Sequence, residues 1–409
     1  MRMKLFAGAA LCILASCNQS ESTDQSGEAM SVEETLMAQL IDAQPGDVIE
    51  IPAGEFSFDR SLSLTVDGVT IRGQGMNETV LSFADQIAGA EGLLVTASDF
   101  IIEDLAIEDA IGDALKINEG NNIIVRRIRT EWTEGPKTEN GAYGIYPVQT
   151  TNVLLEDNVA IGASDAGVYV GQSKNVIVRR NRAEYNVAGI EVENTVNADV
   201  YDNIATNNTG GILVFNMPAL QQEGRATRVY NNKVYENNTF NFAHAGTPVA
   251  SVPAGSGVVV NSNDDVEIFD NEIFDNQTAN VIIASLYTTG YADSEQADSF
   301  DAYPEGIFVY DNTFSGGGDA PSTPELAAAF SAIEASGTAI PDIIWDGYVD
   351  QAKMQDGALP DPLRICVDNG DVAVLNTDSP NGYANPSVLQ DAFNCTLDKL
   401  PAVELENIL

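Results

Sequence analysis

The stretch NVIVRRN (175–181) decides the fold, because the chain repeats it at a nearly constant interval. The heptad before it is NVLLEDN (152–158) and the one after it is NADVYDN (197–203), so the first and last positions recur after 23 and then 22 residues. A second short strand recurs in step, as GVYV (167–170), GIEV (189–192) and GILV (211–214). Weaker copies of the heptad are DFIIEDL (99–105), NIIVRRI (122–128), DVEIFDN (265–271) and GIFVYDN (306–312).

A repeat of about 22 residues with two or three short strands predicts one coil of a right-handed parallel β-helix, an all-β solenoid. Leucine-rich repeats have a similar length, but they need a leucine scaffold and a helical segment that this chain lacks. Side chains alternate along each strand, so Val176 and Val178 are expected to fill the lumen. Asn158, Asn181 and Asn203 are expected to stack at an inward corner and to share amide hydrogen bonds.

The paired arginines of the heptad are interpreted as scaffold residues. Stacking the coils about 4.8 Å apart places acids and bases in alternation along two outward columns, with each guanidinium between two carboxylates. The alternative is that Arg179 or Arg180 binds a ligand. The first column reads Glu103, Arg126, Glu156, Arg179, Tyr201, and the second reads Asp104, Arg127, Asp157, Arg180, Asp202.

A neighbouring outward column is apolar and needs a cover. Its members are Ile101, Ile124, Leu154 and Ile177, followed by Asp199. We expect the C-terminal segment after Pro321 to fold back over this column. A partner protein is the alternative cover.

The N-terminus resembles a bacterial lipoprotein signal. Arg2 and Lys4 precede a short apolar run, and LASC (14–17) follows it. The prediction is a signal peptide at 1–16, a lipid on Cys17 and a polar tether at 17–30. An ordinary secretory signal with a chance cysteine is the alternative. The lipid would be the only membrane contact of an exported protein in the periplasm or at the cell surface, with the outer membrane favoured.

The solenoid is expected to span 31–320, with a helix as its N-terminal cap. A capping box, Ser31 to Glu34, predicts that this helix starts there and runs to about Ala43. Residues 321–409 are interpreted as a C-terminal cap, because the repeat is not visible after Pro321. In that cap TPELAAAFSAIEA (323–335) predicts a helix with Thr323 as its N-cap. Cys366 and Cys395 are expected to form a disulfide in an oxidising compartment.

The charge excludes some ligands. The formal net charge is −42, and removal of Arg2 and Lys4 with the signal would take it to −44. Such a surface repels nucleic acid and anionic lipid, and it repels polyuronates unless a divalent cation bridges the two. His244 is the only histidine, which excludes mechanisms that need two, and we interpret it as an ordinary loop residue.

The second strand of each coil carries outward side chains that suit a binding surface. Long insertions at 130–143, 216–226, 239–256 and 285–305 border it, so a groove is expected there. A tyrosine ring can stack on a sugar while polar groups bind its hydroxyls, which favours carbohydrate. The residues expected to contact the ligand are Lys116, Tyr146, Tyr169, Gln172 and Asn194.

Glu191 and Glu193 are the candidate catalytic residues. They lie two positions apart on one strand, so both should point outward with Cα atoms about 6.6 Å apart. That spacing falls within the range of the carboxylate pairs of glycoside hydrolysis. Three interpretations stay open: a solvated acidic face, calcium held by the carboxylates as a candidate cofactor, or acid–base catalysis.

The segments GAYGIYPVQTTNVLLEDN (141–158) and SDAGVYVGQSKNVIVRRNRAEYNVAGIEVEN (164–194), with the lipoprotein signal and the cysteine-bearing tail, resemble one known family. It comprises the exported parallel β-helix repeat-containing proteins of bacteria, often lipoproteins, within the pectin lyase-like superfamily. The resemblance implies a right-handed β-helix, an extracytoplasmic location and an exported c-type cytochrome-like protein as a candidate partner. It implies no catalytic residues, because that family has no settled activity.

Two functional hypotheses follow. The first, which the sequence favours, is a non-catalytic, lipid-anchored β-helix that binds a glycan or an exported protein partner through the tyrosine–glutamate face. The second is a polysaccharide-active enzyme, a hydrolase, lyase or epimerase, that uses Glu191 and Glu193.

Overall fold

The described chain is built around parallel strands that stack coil upon coil. The computed structural model describes residues 30–289 and 300–405. The predicted signal peptide, Cys17 and the tether up to residue 29 lie outside the described residues. No helix within the described ranges is both long enough and apolar enough to cross a membrane.

Each coil contributes one strand to a sheet that we call sheet B and a longer and a shorter segment to sheet A. The strands of sheet A are β1 (Val48–Glu50), β2 (Gly54–Ser57), β4 (Thr70–Arg72), β5 (Thr79–Ser82), β7 (Phe100–Glu108), β9 (Asn121–Glu131), β11 (Thr151–Glu156), β12 (Val159–Ile161), β14 (Lys174–Arg179), β15 (Arg182–Glu184), β17 (Val196–Tyr201), β18 (Ile204–Thr206), β20 (Arg225–Tyr230), β21 (Lys233–Tyr235), β23 (Asp264–Phe269), β24 (Glu272–Asn276), β26 (Ile307–Tyr310), β27 (Thr313–Gly317) and β29 (Ile365–Asp368). Those of sheet B are β3 (Arg60–Leu64), β6 (Ala88–Val95), β8 (Leu115–Asn118), β10 (Tyr143–Val148), β13 (Ala166–Gly171), β16 (Ala188–Glu193), β19 (Gly210–Phe215), β22 (Ser256–Asn261), β25 (Ala279–Ala284), β28 (Ile343–Trp345), β30 (Val374–Asn376) and β31 (Ser387–Leu389). Among these strands only β30 and β31 pair antiparallel.

The strand register confirms the vertical alignment predicted from the heptads. Glu156 pairs with Arg179, which pairs with Tyr201. The ring of Tyr201 stacks on that of Tyr230 in the next coil, with centroids 4.8 Å apart, and the stack continues through Phe269 at the same spacing. One residue position of the coil therefore becomes one column of the solenoid.

An asparagine ladder fixes one corner of the lumen. The Asn158 side-chain amide donates to Asn181 Oδ1 at 2.9 Å, and the Asn181 amide donates to Asn203 Oδ1 at 3.0 Å. Each Oδ1 also accepts the backbone N–H of the asparagine one coil before it. The side chains are buried, so the loss of one asparagine would leave its hydrogen-bond partners unsatisfied. Each unsatisfied group would lower the free energy of unfolding by about 1–3 kcal/mol. The whole ladder comprises Asn158, Asn181, Asn203, Asn232, Asn271, Asn312 and Asn369.

The residues just before Asn158, Asn181 and Asn203 have a left-handed backbone. Asp157, Arg180 and Asp202 have φ values of 57°, 55° and 56°. This conformation turns the chain sharply out of the strand, and it is disfavoured for residues with a Cβ by about 1–2 kcal/mol. The second outward column is therefore the row of residues at this turn.

Arg179 and Arg180 are scaffold residues, as predicted. Arg179 Nη2 lies 2.6 Å from Glu156 Oε2, and Arg180 lies 2.7 Å from Glu156 and 2.8 Å from Asp157. Their carboxylates belong to the preceding coil, whereas Arg179 Nη1 meets the Tyr201 hydroxyl at 3.1 Å in the following coil. The expectation that each guanidinium lies between two carboxylates is therefore wrong for these two arginines. Both guanidinium groups contact carboxylates of the preceding coil only.

The N-terminal helix was predicted almost to the residue. Helix α1 spans Val32–Asp42. Its Leu36 and Leu40 are buried in the same core cluster as the first lumen residues, Ile49 and Ile51. The helix therefore covers the apolar start of the lumen that would otherwise meet water.

The solenoid extends beyond residue 320, contrary to the boundary predicted from the sequence. Strand β28 continues sheet B below β25, and β29 continues sheet A below β26, both in parallel. Long insertions between these strands hide the period in the sequence. One insertion is helix α2 (Pro324–Ala335), where the Thr323 side chain accepts from the Leu326 N–H, as an N-cap residue does. The predicted disulfide between Cys366 and Cys395 is present.

The end of the chain runs back over the outer face of sheet A. From Cys395 it passes Tyr310, whose ring lies 4.3 Å from Lys399 Nζ. The Val403 N–H then donates to Asp199 Oδ2 at 3.2 Å. Asp199 follows Ile177 in the same column, so the C-terminal segment covers the continuation of the column, and its cover of the four aliphatic residues stays a prediction.

Replacing Arg179 with glutamate should lower stability by about 1–3 kcal/mol, because Glu156 is largely buried and would face a second carboxylate. Thermal unfolding should show the loss. Arg60→Glu is the matched control, since Arg60 and its partner Asp59 form a solvent-exposed ion pair. Equal effects of both changes would contradict the assignment of Arg179 to the scaffold.

Candidate functional site

The outer face of sheet B presents two columns of side chains. In the first, Tyr169 pairs with Glu191, which pairs with Leu213. In the second, Glu193 pairs with Phe215. The sequence predicted this arrangement, and the structure brings Lys116, Tyr146 and Tyr169 into the first column beside Glu191.

This face is not a solvated acidic surface, because chain packs over it. Phe242 and Val252, from the insertion at 239–256, join Leu213 and Phe215 in one buried apolar cluster. Helix α2 joins the same cluster further along the axis. Glu191 is only 2% exposed and Glu193 9% exposed. The expected groove is therefore not open at Glu191, and apolar residues of the insertion gain burial against the neighbouring Leu213 and Phe215.

A third carboxyl, that of Asp165, belongs to the site and was missed from the sequence. Asp165 lies in the turn before β13, one position outside the strand pattern, and it is 7% exposed. Its carboxyl lies close enough to Tyr143 and Glu191 for both groups to affect its pKa. The Tyr169 hydroxyl donates to Glu193 Oε2 at 2.5 Å. The available signal was the aspartate of SDAG (164–167), next to the outward columns.

The three carboxyls lack cationic partners. None of the ion pairs found within 30–289 and 300–405 involves Asp165, Glu191 or Glu193. Burial raises the pKa of Glu191 well above its ordinary value, and the Asp165 and Glu193 charges raise it further. Burial likewise raises the pKa of Asp165 and that of Glu193. Glu191 Oε2 is buried and has no hydrogen-bond partner.

Three tyrosine rings pack beside the carboxyls. The ring centroids of Tyr143 and Tyr146 are 4.2 Å apart, and each is 4.8 Å from that of Tyr169. Tyr146 is half-buried and lies 5.0 Å from Lys116 Nζ, which also pairs with Asp113 at 3.2 Å. The half-exposed edge formed by Tyr146 and Lys116 is where the cluster approaches solvent.

Two of the residues predicted to bind a ligand, Gln172 and Asn194, contact a loop. The buried Asn194 amide donates to the backbone oxygens of Met217 and Gln222, at 3.0 and 2.7 Å. Gln172 Oε1 accepts the N–H of Gln221 at 3.2 Å. These contacts anchor the insertion after β19, and they leave Asn194 no free amide hydrogen. His244 is exposed on the insertion at 239–256, which fits its interpretation as a loop residue.

A cavity of about 390 Å³ continues the second column beyond Glu193. Its wall includes Phe215, the direct neighbour of Glu193, and the more distant Asn261 and Asp346. Burial raises the pKa of Asp346 to about 6, although Ser285 donates to it. Glu325 of helix α2 adds a further carboxylate to the wall.

Comparisons with known proteins agree on the architecture. The family model described as "Right handed beta helix region" matches residues 58–224 and 138–296. No curated protein sequence matches the chain.

Several solved structures are similar to this chain at low sequence identity. The A-module of mannuronan C-5 epimerase AlgE4 from Azotobacter vinelandii is 18% identical, with 79% of this chain and 86% of that chain covered and a TM-score of 0.47. The periplasmic alginate epimerase AlgG is 14% identical, with coverages of 67% and 74% and a TM-score of 0.44. DFA-IIIase from Arthrobacter chlorophenolicus A6 is 12% identical, with coverages of 74% and 82% and a TM-score of 0.43.

Glu191→Gln should stabilise the protein at pH 8. A carboxyl with a raised folded-state pKa contributes stability that is present below its unfolded pKa, about 4.3, and is lost as pH rises through the folded value. The glutamine side chain does not ionise, so the variant avoids this loss of stability. The loss amounts to about 1.4 kcal/mol for each unit by which the folded-state pKa is raised. Urea unfolding at pH 5 and pH 8 measures the difference, which should be larger at pH 8.

The exposed Glu78 offers a control, and Glu78→Gln should change stability little at either pH. A loss of stability in Glu191→Gln that is equal at both pH values would show that the Glu191 carboxylate is ionised and well paired.

Proposed function

Because the chain belongs to the right-handed β-helix family, whose model matches more than half of it, we propose that its sheet B site acts on a saccharide. The reaction proposed is acid–base cleavage of a glycosidic bond, carried by the Asp165–Glu191–Glu193 cluster. The observation that supports it most is the meeting of three buried carboxyls, all with raised pKa values, beside tyrosine rings. Groups with such strongly perturbed pKa values are concentrated at functional sites.

A purely structural role accounts poorly for this cluster. Buried carboxylates without a cation are destabilising, and apolar residues of similar volume serve stability better. Arginines pair with acids on sheet A, as with Glu156, but among the described residues none pairs with Glu191. The sheet B acids are therefore better explained by a reaction than by folding.

The environments of the two glutamates suggest different roles. Burial raises the pKa of Glu191 well above its ordinary value, so Glu191 is the proposed proton donor to the leaving oxygen. The Tyr169 hydrogen bond favours the ionised form of Glu193, so Glu193 is the proposed base for the attacking water. The water oxygen bonds to the anomeric carbon as the glycosidic bond breaks, and each partner sugar leaves with one hydroxyl. Asp165 holds the Glu191 proton in place between turnovers.

The proposed substrate is a neutral saccharide. The site and the adjoining cavity contribute Asp165, Glu193, Asp346 and Glu325, while Lys116 already faces Asp113. A polyuronate would meet these carboxylates with its own, on a chain of formal charge −42. A sugar without carboxylates avoids that repulsion, and its rings can stack on Tyr146 at the half-exposed edge.

A second candidate is the non-catalytic binding of a glycan or of an exported protein partner, such as the c-type cytochrome-like protein that the resemblance implies. The low exposure of Glu191, 2%, favours this second candidate over catalysis. Catalysis at Glu191 would require the chain that covers it to move and admit the substrate. Export of the protein and a lipid on Cys17 are part of both proposals.

A panel of neutral and uronic oligosaccharides, assayed for both binding and reducing-end release, tests the proposal. Neutral substrates should be cleaved, and Glu191→Gln should lower kcat at least about a hundredfold while binding is retained. Glu78→Gln should leave turnover unchanged. Binding without cleavage by the unaltered protein would favour the second candidate.

Tyr169→Phe should move the acidic limb of the kcat/KM profile to higher pH. Burial raises the pKa of Glu193, the Tyr169 hydroxyl opposes that rise, and its removal lets the pKa rise further. A shift of about one unit is expected, since a hydrogen bond to a charged group contributes about 1.5–3 kcal/mol. Tyr201→Phe removes a hydroxyl from sheet A instead and should leave the profile in place. An unmoved limb in Tyr169→Phe would exclude Glu193 as the base.

A further inference from the structure

A second group of acids lies away from the Asp165–Glu191–Glu193 cluster. Asp264 begins strand β23, while Asp301 and Glu305 belong to the segment that leads into β26. One carboxyl oxygen from each of the three lies within 4.8 Å of the others. The Glu305 N–H also donates to Asp264 Oδ1 at 3.2 Å, which holds the segment against the solenoid.

One lysine faces these acids and does not balance their charge. Lys353 Nζ lies 2.6 Å from Asp301 Oδ2 and 2.6 Å from Glu305 Oε2. Asp350, at 4.0 Å from the same nitrogen, adds a fourth carboxylate.

The Glu305 side chain gives an independent sign of a missing ligand. Glu305 is 3% exposed, and its Oε1 has no hydrogen-bond partner. The other oxygen of the same carboxyl contacts Lys353 within the group, so the unpartnered atom lies at the group as well. A buried carboxylate oxygen without a donor is unfavourable unless a cation binds it.

We propose that Asp264, Asp301 and Glu305 form a Ca²⁺ site. Carboxylate oxygens are the ligands of hard divalent cations, and Ca²⁺ accepts them at about 2.3–2.6 Å in flexible geometry. Oxygens up to 4.8 Å apart can surround one such ion with little movement, whereas Mg²⁺ at about 2.0–2.1 Å would require them to contract. Lys353 is the competing internal cation, and Ca²⁺ binding moves its ammonium outward towards Asp350.

The ion would tie a wall of the cavity to the solenoid. Ala302, between Asp301 and Glu305, accepts hydrogen bonds from the Leu286 N–H and the Ser262 hydroxyl, both at 2.9 Å. Thr288, two residues after Leu286, lines the cavity next to Glu193. Calcium at Asp264 therefore acts on the position of that wall, and it needs no part in the catalytic proposal.

Calorimetric titration of the full chain with CaCl2, together with thermal unfolding, tests the site. Calcium should raise the unfolding temperature, and MgCl2 should do so less. Asp264→Asn should weaken calcium binding by about tenfold or more, since losing even a residue behind a metal ligand reduces affinity by that much. Lys353→Met should strengthen binding, because it removes the competing cation.

The opposite directions of these two variants separate the site from general attraction of calcium to an acidic protein. Asp371→Asn, at an exposed position, is the control for that attraction and should leave affinity unchanged. Equal affinity in the unaltered protein, Asp264→Asn and Lys353→Met would overturn the proposal. So would the absence of calcium binding in both the unaltered protein and Lys353→Met.

Discussion

The hydrogen bond from one asparagine amide to the next determines where every other side chain lies. Each ladder asparagine binds both the side chain and the backbone of its neighbour, so a coil can neither slide nor rotate against the next without breaking buried bonds. This constraint turns residues 22 or 23 apart in sequence into neighbours along the axis. The arginine pairs, the ring stacks and the carboxyl cluster all require that alignment.

The same geometry has opposite electrostatic results on the two sheets. On sheet A the stacking brings Arg179 and Arg180 onto Glu156, so opposite charges neutralise one another. On sheet B it places Glu191 next to Asp165, with neutral tyrosines around them, so like charges share a small volume. Sheet A shows that this scaffold can place acids next to bases. The unfavourable grouping of acids on sheet B therefore calls for a chemical explanation.

The sequence period predicted the fold, but it did not predict which segments pack over the two sheets. The coil, the lumen residues, the ladder at Asn181 and both outward columns follow from a spacing that is visible in the sequence. What packs over sheet B was hidden, because the insertion at 239–256 and helix α2 have no period, and their docking depends on three-dimensional burial of residues such as Phe242. Asp165 was missed for a related reason: it reaches the site from a turn, where strand alternation gives no direction. The contacts of Asn194 could not be predicted from the sequence, because they depend on the backbone of a loop.

The docked C-terminal segment links distant parts of the chain. Val403 meets Asp199 across a sequence separation of 204 residues, and Asp199 is already held by Arg228 from the next coil. The segment can settle only where several finished coils present their outer surface, so its contacts form late in folding. The other coils contact only their neighbours along the axis. The C-terminal segment adds a long-range contact, so we expect the last coils and the middle coils to unfold together.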